Sequence, residues 1–254
     1  MNECYNEHRN GADNMNLEAV LEYNEKGCLV YLQNLPGAFS RGKTAEEAFA
    51  KLPAESARFE HWKTGKKPPE NFEHECTVLT VLKKESTLNT EDADSDVIFD
   101  TERQPLSLEE YERQKALALK SARDFQRLYD SVPDKSIELV QRRTAFYGKV
   151  PQTAEEMYAH TMNVNSYYFG EAGIDAENGP DILSCREKGF AALERQPDFL
   201  KNSVRIGSYD EEWSLYKVLR RFIWHDRIHA KAMYRGAAAI FGKENICDSF
   251  FFGE

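Results

Sequence analysis

Residues 208–242 form the longest uninterrupted helical pattern in the chain, and this stretch limits the possible folds more than any other. Its apolar side chains recur every three or four residues, which places them on one face of an α-helix. His225 and His229 fall within the same apolar stripe. Ser208, with a glutamate three residues later, is a typical helix start, and Gly242 is a typical helix end. The pattern therefore predicts a long helix that directs two imidazole rings into the protein core.

Two histidines four residues apart on one helix face can bind a single metal ion, because one ring lies a turn above the other. The alternative is that each is a core histidine whose ring nitrogens are satisfied by hydrogen bonds. A third candidate ligand is His160, on the inward face of a helix that a capping box at Thr153 begins. We therefore predict a divalent transition-metal site at His160, His225 and His229. Imidazole suits zinc, nickel, iron and copper alike, and of these we expect zinc or nickel.

Charge and composition restrict the class of partner. The 254 residues include 33 basic and 43 acidic side chains, for a net charge of -10, so we expect neither nucleic acid nor an anionic membrane surface as a partner. No apolar run approaches the roughly 18–20 residues of a membrane span, and the polar N-terminus lacks the apolar core of a signal peptide. The five cysteines are scattered without a C-x-x-C pair, which favours neither disulfides nor a cysteine-rich zinc site. These features predict a cytoplasmic protein.

Short apolar runs separated by turn residues organise the N-terminal third of the chain. Residues 1–16 are polar, and we expect a flexible tail. Residues 17–23 and 28–32 are joined by a turn that contains asparagine and glycine, which predicts a β-hairpin. A capping threonine opens a helix predicted over residues 44–62, and the β-branched run 77–82 predicts a strand that returns to the sheet.

The turn and helix-start residues of this region carry a family resemblance. Besides the strand pair, the matching motifs are Leu35-Pro36-Gly37, Gly42 with Thr44, and Glu46-Glu47-Ala48. With them, residues 17–85 resemble the HicB-like antitoxin domain, a small β-β-α-β module, although Ala38 stands where the family often has cysteine. That family pairs with a small ribonuclease toxin and is often joined to a DNA-binding segment. Because no basic helix-turn-helix follows here, the resemblance implies the fold and a surface that contacts a protein or a ligand.

The sequence pattern of the remaining two thirds of the chain predicts mainly helices. Residues 86–104 are rich in Ser, Thr, Asn, Asp and Glu, and we interpret them as a linker. A helix is predicted from Ser107 to the proline at position 133, and a shorter one over residues 181–196, while residues 136–149 fit either a short helix or an irregular crossing. We therefore predict an α+β protein of two domains, with an all-α four-helix bundle over residues 105–254.

The order of these helices and their histidines carries a second resemblance. His160 lies on the second helix, and the sequence WHDRIH at residues 224–229 lies on the fourth. With these features the chain is similar to the DinB-like family of bacterial metal-binding four-helix bundles. The loop after His160 and residues 136–149 do not match a tight bundle, which affects the details of the pocket and not the ligands. The resemblance implies a homodimer, and a reaction like those of the thiol-dependent transferases and isomerases of the family.

Three neutral imidazoles leave at least one coordination position open, which is typical of catalytic sites. We therefore expect a small-molecule substrate or thiol, and a metal-dependent thiol transferase or hydrolase. No residue is assigned as catalytic. The alternative is a non-catalytic, metal-stabilised binding or interaction protein, related to toxin–antitoxin modules, with a protein partner on the N-terminal module.

Residues near the histidines in sequence have open roles. Asp226 lies about 100° around the helix from its neighbour His225 and should act elsewhere. Four aromatic side chains either wall the pocket or belong to the plain core. They are Tyr167, Tyr168, Trp224 and Tyr234.

The expected homodimer forms through the bundle helices, since twofold symmetry is the commonest arrangement of oligomers. Light scattering on a sizing column measures the mass in solution. A dimer gives twice the chain mass of 29.2 kDa at micromolar concentration, and a mass near 29.2 kDa would contradict the expectation.

Overall fold

The computed structural model describes residues 15–141, 144–145 and 148–253. All but the last two residues of the predicted tail, residues 1–16, therefore lie outside the described part. The fold is mixed α/β, with a small N-terminal sheet followed by helices, and about half of the chain is helical. No helix among the described residues is both long and apolar enough to cross a membrane.

A four-stranded sheet forms the N-terminal part. Its strands are β1 (Met15–Tyr23), β2 (Cys28–Leu32), β3 (Phe39–Gly42) and β4 (Cys76–Glu85), in the spatial order β3-β2-β1-β4. The predicted hairpin is confirmed, since β1 and β2 pair antiparallel and the Asn24 side chain accepts a hydrogen bond from the Lys26 amide in the turn. The predicted returning strand is β4, which lies parallel to β1.

Strand β3 was not predicted, because its four residues contain a glycine and an arginine and show no apolar alternation. It forms by pairing with β2 after the turn at Gly37. Gly37 has φ +103°, and a Cβ there would lie 2.3 Å from Cγ2 of Ile223. The turn therefore requires glycine both for its backbone conformation and for its close approach to the C-terminal helix.

Two helices occupy the place of the single helix predicted over residues 44–62. They are α1 (Ala45–Phe49) and α2 (Leu52–Thr64). Thr44 caps α1 as predicted, accepting a hydrogen bond from the Glu47 amide at 3.2 Å, and Gly65 ends α2 with φ 70°. Pro53 explains the break, since a proline has no N–H and its ring clashes with the carbonyl four residues before it.

Both faces of the sheet are covered at strands β1, β2 and β3. Side chains of α1 and α2, such as Ala48 and Phe59, pack on one face in a core that continues into the helical part. The opposite face is covered by Val97, Phe99 and Trp224.

The segment 86–104 is therefore packed, and the prediction of an exposed linker is wrong for its central part. Val97 and Phe99 are each only 2% exposed. The apolar cluster at residues 97–99 covers the sheet, and the carboxylate of Glu102 is 1% exposed and paired with Arg220. Polar composition thus reflects buried ion pairs and hydrogen bonds here, and not solvation. The division into domains over residues 17–85 and 105–254 stays a prediction.

Four helices follow the sheet, in the order predicted. They are α3 (Leu108–Ser131), α4 (Ala154–Glu171), α5 (Ile182–Leu193) and α6 (Leu215–Phe241). Helix α3 packs on α5 and α6, and α4 also packs on α5 and α6. The described part of residues 136–149 is an irregular crossing that contains the short strands β5 (Thr144–Ala145) and β6 (Gly148–Lys149).

Helix α6 begins six residues later than predicted. Ser214 caps it by accepting a hydrogen bond from the Lys217 amide at 3.2 Å, whereas residues Ser208–Asp210 form a single 3-10 turn. Between them, β8 (Glu212–Trp213) pairs antiparallel with β7 (Arg205–Ile206). Ser208 and Ser214 both offer a capping hydroxyl. The pairing of β7 with β8 determines that the helix begins after Ser214. The predicted end at Gly242 is confirmed, with φ 89°.

A buried ion-pair triad joins α2 to α6. The Glu55 side chain is 3% exposed, and its carboxylate lies 2.7 Å from Nη2 of Arg227 and 3.2 Å from Nζ of Lys231. Burial acts to raise the pKa of Glu55, but the charges of Arg227 and Lys231 outweigh it and hold that pKa below its ordinary value. The Arg227 guanidinium also lies 5.0 Å from the centre of the Phe59 ring.

We predict that Glu55→Gln lowers the free energy of unfolding by about 3 kcal/mol at pH 7, because it leaves a buried guanidinium without its counter-charge. The folded-state pKa of Glu55 lies below the ordinary 4.5. Its ionic contribution is therefore present above pH 4.5 and is lost as the pH falls through the folded-state value.

Urea denaturation of the wild type and of Glu55→Gln at pH 7 and pH 4 measures the difference between their free energies of unfolding. This difference should be smaller at pH 4. The control is Glu60→Gln, which removes a more exposed partner of Lys63 and should leave the free energy of unfolding nearly unchanged. Equal effects of the two substitutions would contradict the role of the triad.

Candidate metal centre

Two packed helices carry the three histidines. His225 and His229 lie one turn apart on α6, and His160 lies on α4. The start of α4 is fixed by the predicted capping box, in which the Thr153 hydroxyl accepts from the Glu156 amide and the Glu156 carboxylate accepts from the Thr153 amide. The packing of α4 on α6 then brings the rings together, with centroids 5.1 Å apart for His160 and His225 and 4.7 Å apart for His160 and His229.

The ring nitrogens converge closely enough to bind one metal ion. One nitrogen of each histidine lies within 4.8 Å of the others. Nε2 of His225 lies 3.2 Å from Nε2 of His160. Tetrahedral zinc with Zn–N bonds of roughly 2.0–2.1 Å separates its nitrogen ligands by about 3.3 Å, so this pair already has the required spacing. The predicted convergence is confirmed, while zinc or nickel as the metal stays a prediction.

The environment of His160 and His225 favours their neutral form. Burial lowers the pKa of His160, and it lowers the pKa of His225 well below the ordinary value, with further contributions from His229 and His160 and then from Arg221. A neutral ring has a free lone pair, which is the form that binds a metal.

The surroundings of the His225 ring distinguish the metal site from the alternative of a satisfied core histidine. Nε2 of His225 has an imidazole nitrogen of His160 as its neighbour, and Nδ1 of His225 is buried without a hydrogen-bond partner among the described residues. Buried polar atoms are normally hydrogen-bonded, so this ring is a poor structural histidine. A metal ion between the rings gives the facing nitrogens a partner.

The histidines line a cleft of about 1480 Å³. Its walls come from β3, α2, α4, α6 and residues 88–96, so the sheet-bearing part and the helices both contribute. His160 is half-buried at the wall, whereas His225 and His229 are 8% and 9% exposed. The three ligands therefore face a space that a small molecule can enter.

Of the four aromatic residues considered for the pocket, three line this cleft. They are Tyr167, Tyr168 and Trp224. Tyr234 instead is 5% exposed, and burial, together with the nearby Asp248, raises the pKa of its hydroxyl. Tyr234 therefore belongs to the hydrophobic core, which is the second of the two roles that the sequence left open.

Asp226 acts away from the site, as its position on the helix predicts. It is fully buried and accepts a hydrogen bond from Nη2 of Arg186 on α5 at 3.1 Å. Arg186 also donates to the carbonyl of Ala118 on α3. The pair thus ties the segment that bears His225 to two other helices.

Sequence reasoning missed Arg221, which lines the cleft one turn before His225. Its signal was its spacing, since residues 221, 225 and 229 lie on one helix face. It was overlooked because a lone arginine near an apolar stripe normally extends to solvent.

Comparisons of the chain with family models, with curated proteins and with solved structures gave no match. The DinB-like and HicB-like resemblances therefore stay predictions from the sequence. The chemistry of the site follows from its own donor atoms, which are three imidazole nitrogens at metal-binding distance.

We predict about one divalent metal ion per chain after purification, and loss of that metal in each of His160→Ala, His225→Ala and His229→Ala, because two imidazoles alone bind weakly. Elemental analysis after dialysis measures the metal content of each protein. His74→Ala is the control, because His74 is exposed and lies outside the helical part, and its metal content should equal that of the wild type. Stoichiometric metal in all three site variants would refute the site.

Proposed function

We propose that the protein binds one divalent transition metal through His160, His225 and His229 and uses it as a thiol transferase or a hydrolase. The observation that carries the proposal is the convergence of three imidazole nitrogens within 4.8 Å of one another, on the wall of an open cleft. This is also the chemistry that the DinB-like resemblance implies.

The number of ligands favours a catalytic site over a structural one. Structural zinc sites normally have four protein ligands, whereas catalytic sites have three and leave a position for substrate. Among the described residues, no other histidine, cysteine, aspartate or glutamate joins the cluster. When bound there, a divalent metal supplies a Lewis acid that lowers the pKa of a water or a thiol.

The chain's own side chains prepare the cleft for a small molecule. Met157, Val164 and Ile228 line it with apolar surface, which excludes water from around the histidines. Tyr167 and Tyr168 line it as well, and burial raises the pKa of both hydroxyls. They stay protonated at neutral pH and are therefore hydrogen-bond donors to a ligand and not bases.

The N-terminal part has a role in this proposal, because β3 and α2 contribute to the cleft walls. A HicB-like module here shapes access to the histidines. Its exposed surface is the place for the expected protein partner, and the helices are the place for the homodimer contact.

We predict that activity requires the metal. Metal-loaded protein should accelerate the addition of a small thiol to an aromatic electrophile, or the hydrolysis of a nitrophenyl ester or amide. Chelation or His229→Ala should reduce the rate by about a hundredfold or more, since a Lewis acid contributes several kcal/mol to transition-state stabilisation.

His74→Ala, loaded in the same way, is the control and should react at the wild-type rate. Turnover that is equal in the wild type and His229→Ala would show that the histidines do not act in the reaction. The alternative, a metal-stabilised binding protein, would then be favoured if the metal still raises the thermal stability of the wild type.

A further inference from the structure

Arg221 lies on the same wall of the cleft as the three histidines. It precedes His225 by one helical turn, which is about 6 Å along the axis of α6. Its side chain is half-buried. A molecule whose reacting group meets the histidines thus has Arg221 within reach of its other end.

The guanidinium of Arg221 is held in place by aromatic rings. Its central carbon lies 4.5 Å from the ring centre of Trp224, 5.8 Å from that of Tyr168 and 5.6 Å from that of Trp213. Nη1 donates a hydrogen bond to the Ser95 carbonyl at 3.2 Å. Nε is buried and has no acceptor among the described residues. The guanidinium is therefore held in a fixed orientation before any ligand binds, and not all of its N–H donors are used.

Arg221 has no ion-paired carboxylate among the described residues, unlike the other guanidiniums buried in this part of the chain. Each of those has a carboxylate partner: Arg186 with Asp226, Arg220 with Glu102, and Arg227 with Glu55. No carboxylate of the described residues lies within ion-pairing distance of Arg221. Glu211 is near enough to interact with it, but the carboxylate of Glu211 pairs with Lys217 at 2.8 Å. These three groups together carry one net positive charge.

We propose that Arg221 binds the carboxylate of a small organic acid, the apolar body of which lies against the aromatic wall of the cleft. The inference deepens the proposed function and rests on it, because the other end of the same ligand meets the three histidines. A planar guanidinium pairs with a carboxylate through two parallel hydrogen bonds. The single net charge matches a monoanion better than a phosphate dianion.

The matched pair of probes is mercaptohexanoate and its amide, which have the same length and thiol and differ in charge. Calorimetry on metal-loaded protein should give about tenfold tighter binding of the acid than of the amide. In Arg221→Met the two affinities should become equal. Arg235→Met is the control, since Arg235 is exposed and also lines the cleft, and it should keep the wild-type ratio.

A second variant separates binding from folding. Arg221→Lys keeps the positive charge and the aliphatic stem but lacks the planar fork, so its acid-to-amide ratio should lie between those of the wild type and Arg221→Met. A ratio near one in the wild type, or an unchanged ratio in Arg221→Met, would overturn the inference. Displacement of the acid by an equal concentration of inorganic phosphate would overturn the assignment to a carboxylate.

Elemental analysis of the same samples separates the two proposals. Protein that binds no metal refutes the proposed function, and the ratio measured on that protein still decides the role of Arg221. Protein that binds metal but shows no preference for the acid refutes the role of Arg221 and leaves the metal site in place.

Discussion

Buried ion pairs on α6 set the orientation of this helix, and the rest of the site depends on that orientation. Arg227 pairs with Glu55 of α2, Arg220 with Glu102 of the packed segment, and Asp226 with Arg186 of α5. Breaking a buried ion pair leaves a charge without its partner in a low-dielectric environment. A rotation of α6 would break all three pairs. Since these pairs fix the other sides of the helix, one face is left, and it carries His225, His229 and Arg221 into the cleft. The ion pairs thus act on the ligand geometry without touching the ligands.

The cleft exists because two parts with different local structure share a boundary. The sheet supplies one wall, and its outer face is closed by Phe99 and Trp224, so the segment 86–104 acts as packing between sheet and helices. Gly37 lets the β2–β3 turn approach α6 to a distance that no other residue permits. Neither part encloses the histidines by itself, which explains why a small sheet module precedes a group of helices in one chain.

Features encoded over a few residues were predictable from the sequence. The capping box at Thr153, the Asn24 turn and the i, i+4 spacing of His225 and His229 act locally, and each appears in the structure as expected. Tertiary contacts decided the rest. Strand β3 needs β2 as its template, the start of α6 depends on the pairing of β7 with β8, and the burial of Phe99 depends on a sheet face distant in sequence. Arg221 belongs to this group, because its lack of a carboxylate partner becomes visible only when every neighbour is placed.

Charge distribution connects the metal centre to its ligand. The chain as a whole has a net charge of -10, yet among the residues that the structure describes no carboxylate is ion-paired with Arg221, and the nearby Glu211 pairs with Lys217. A divalent ion held by the three imidazoles would add two positive charges there, and low-dielectric walls would focus the field of such a group on an entering anion. Because the chain as a whole is negatively charged, binding of an anion at this wall would depend on close contact with Arg221 and the metal together. Because α6 carries Arg221, His225 and His229, the guanidinium lies one turn from the first of these imidazoles and two turns from the second, and this spacing sets the length of a molecule that would reach both ends.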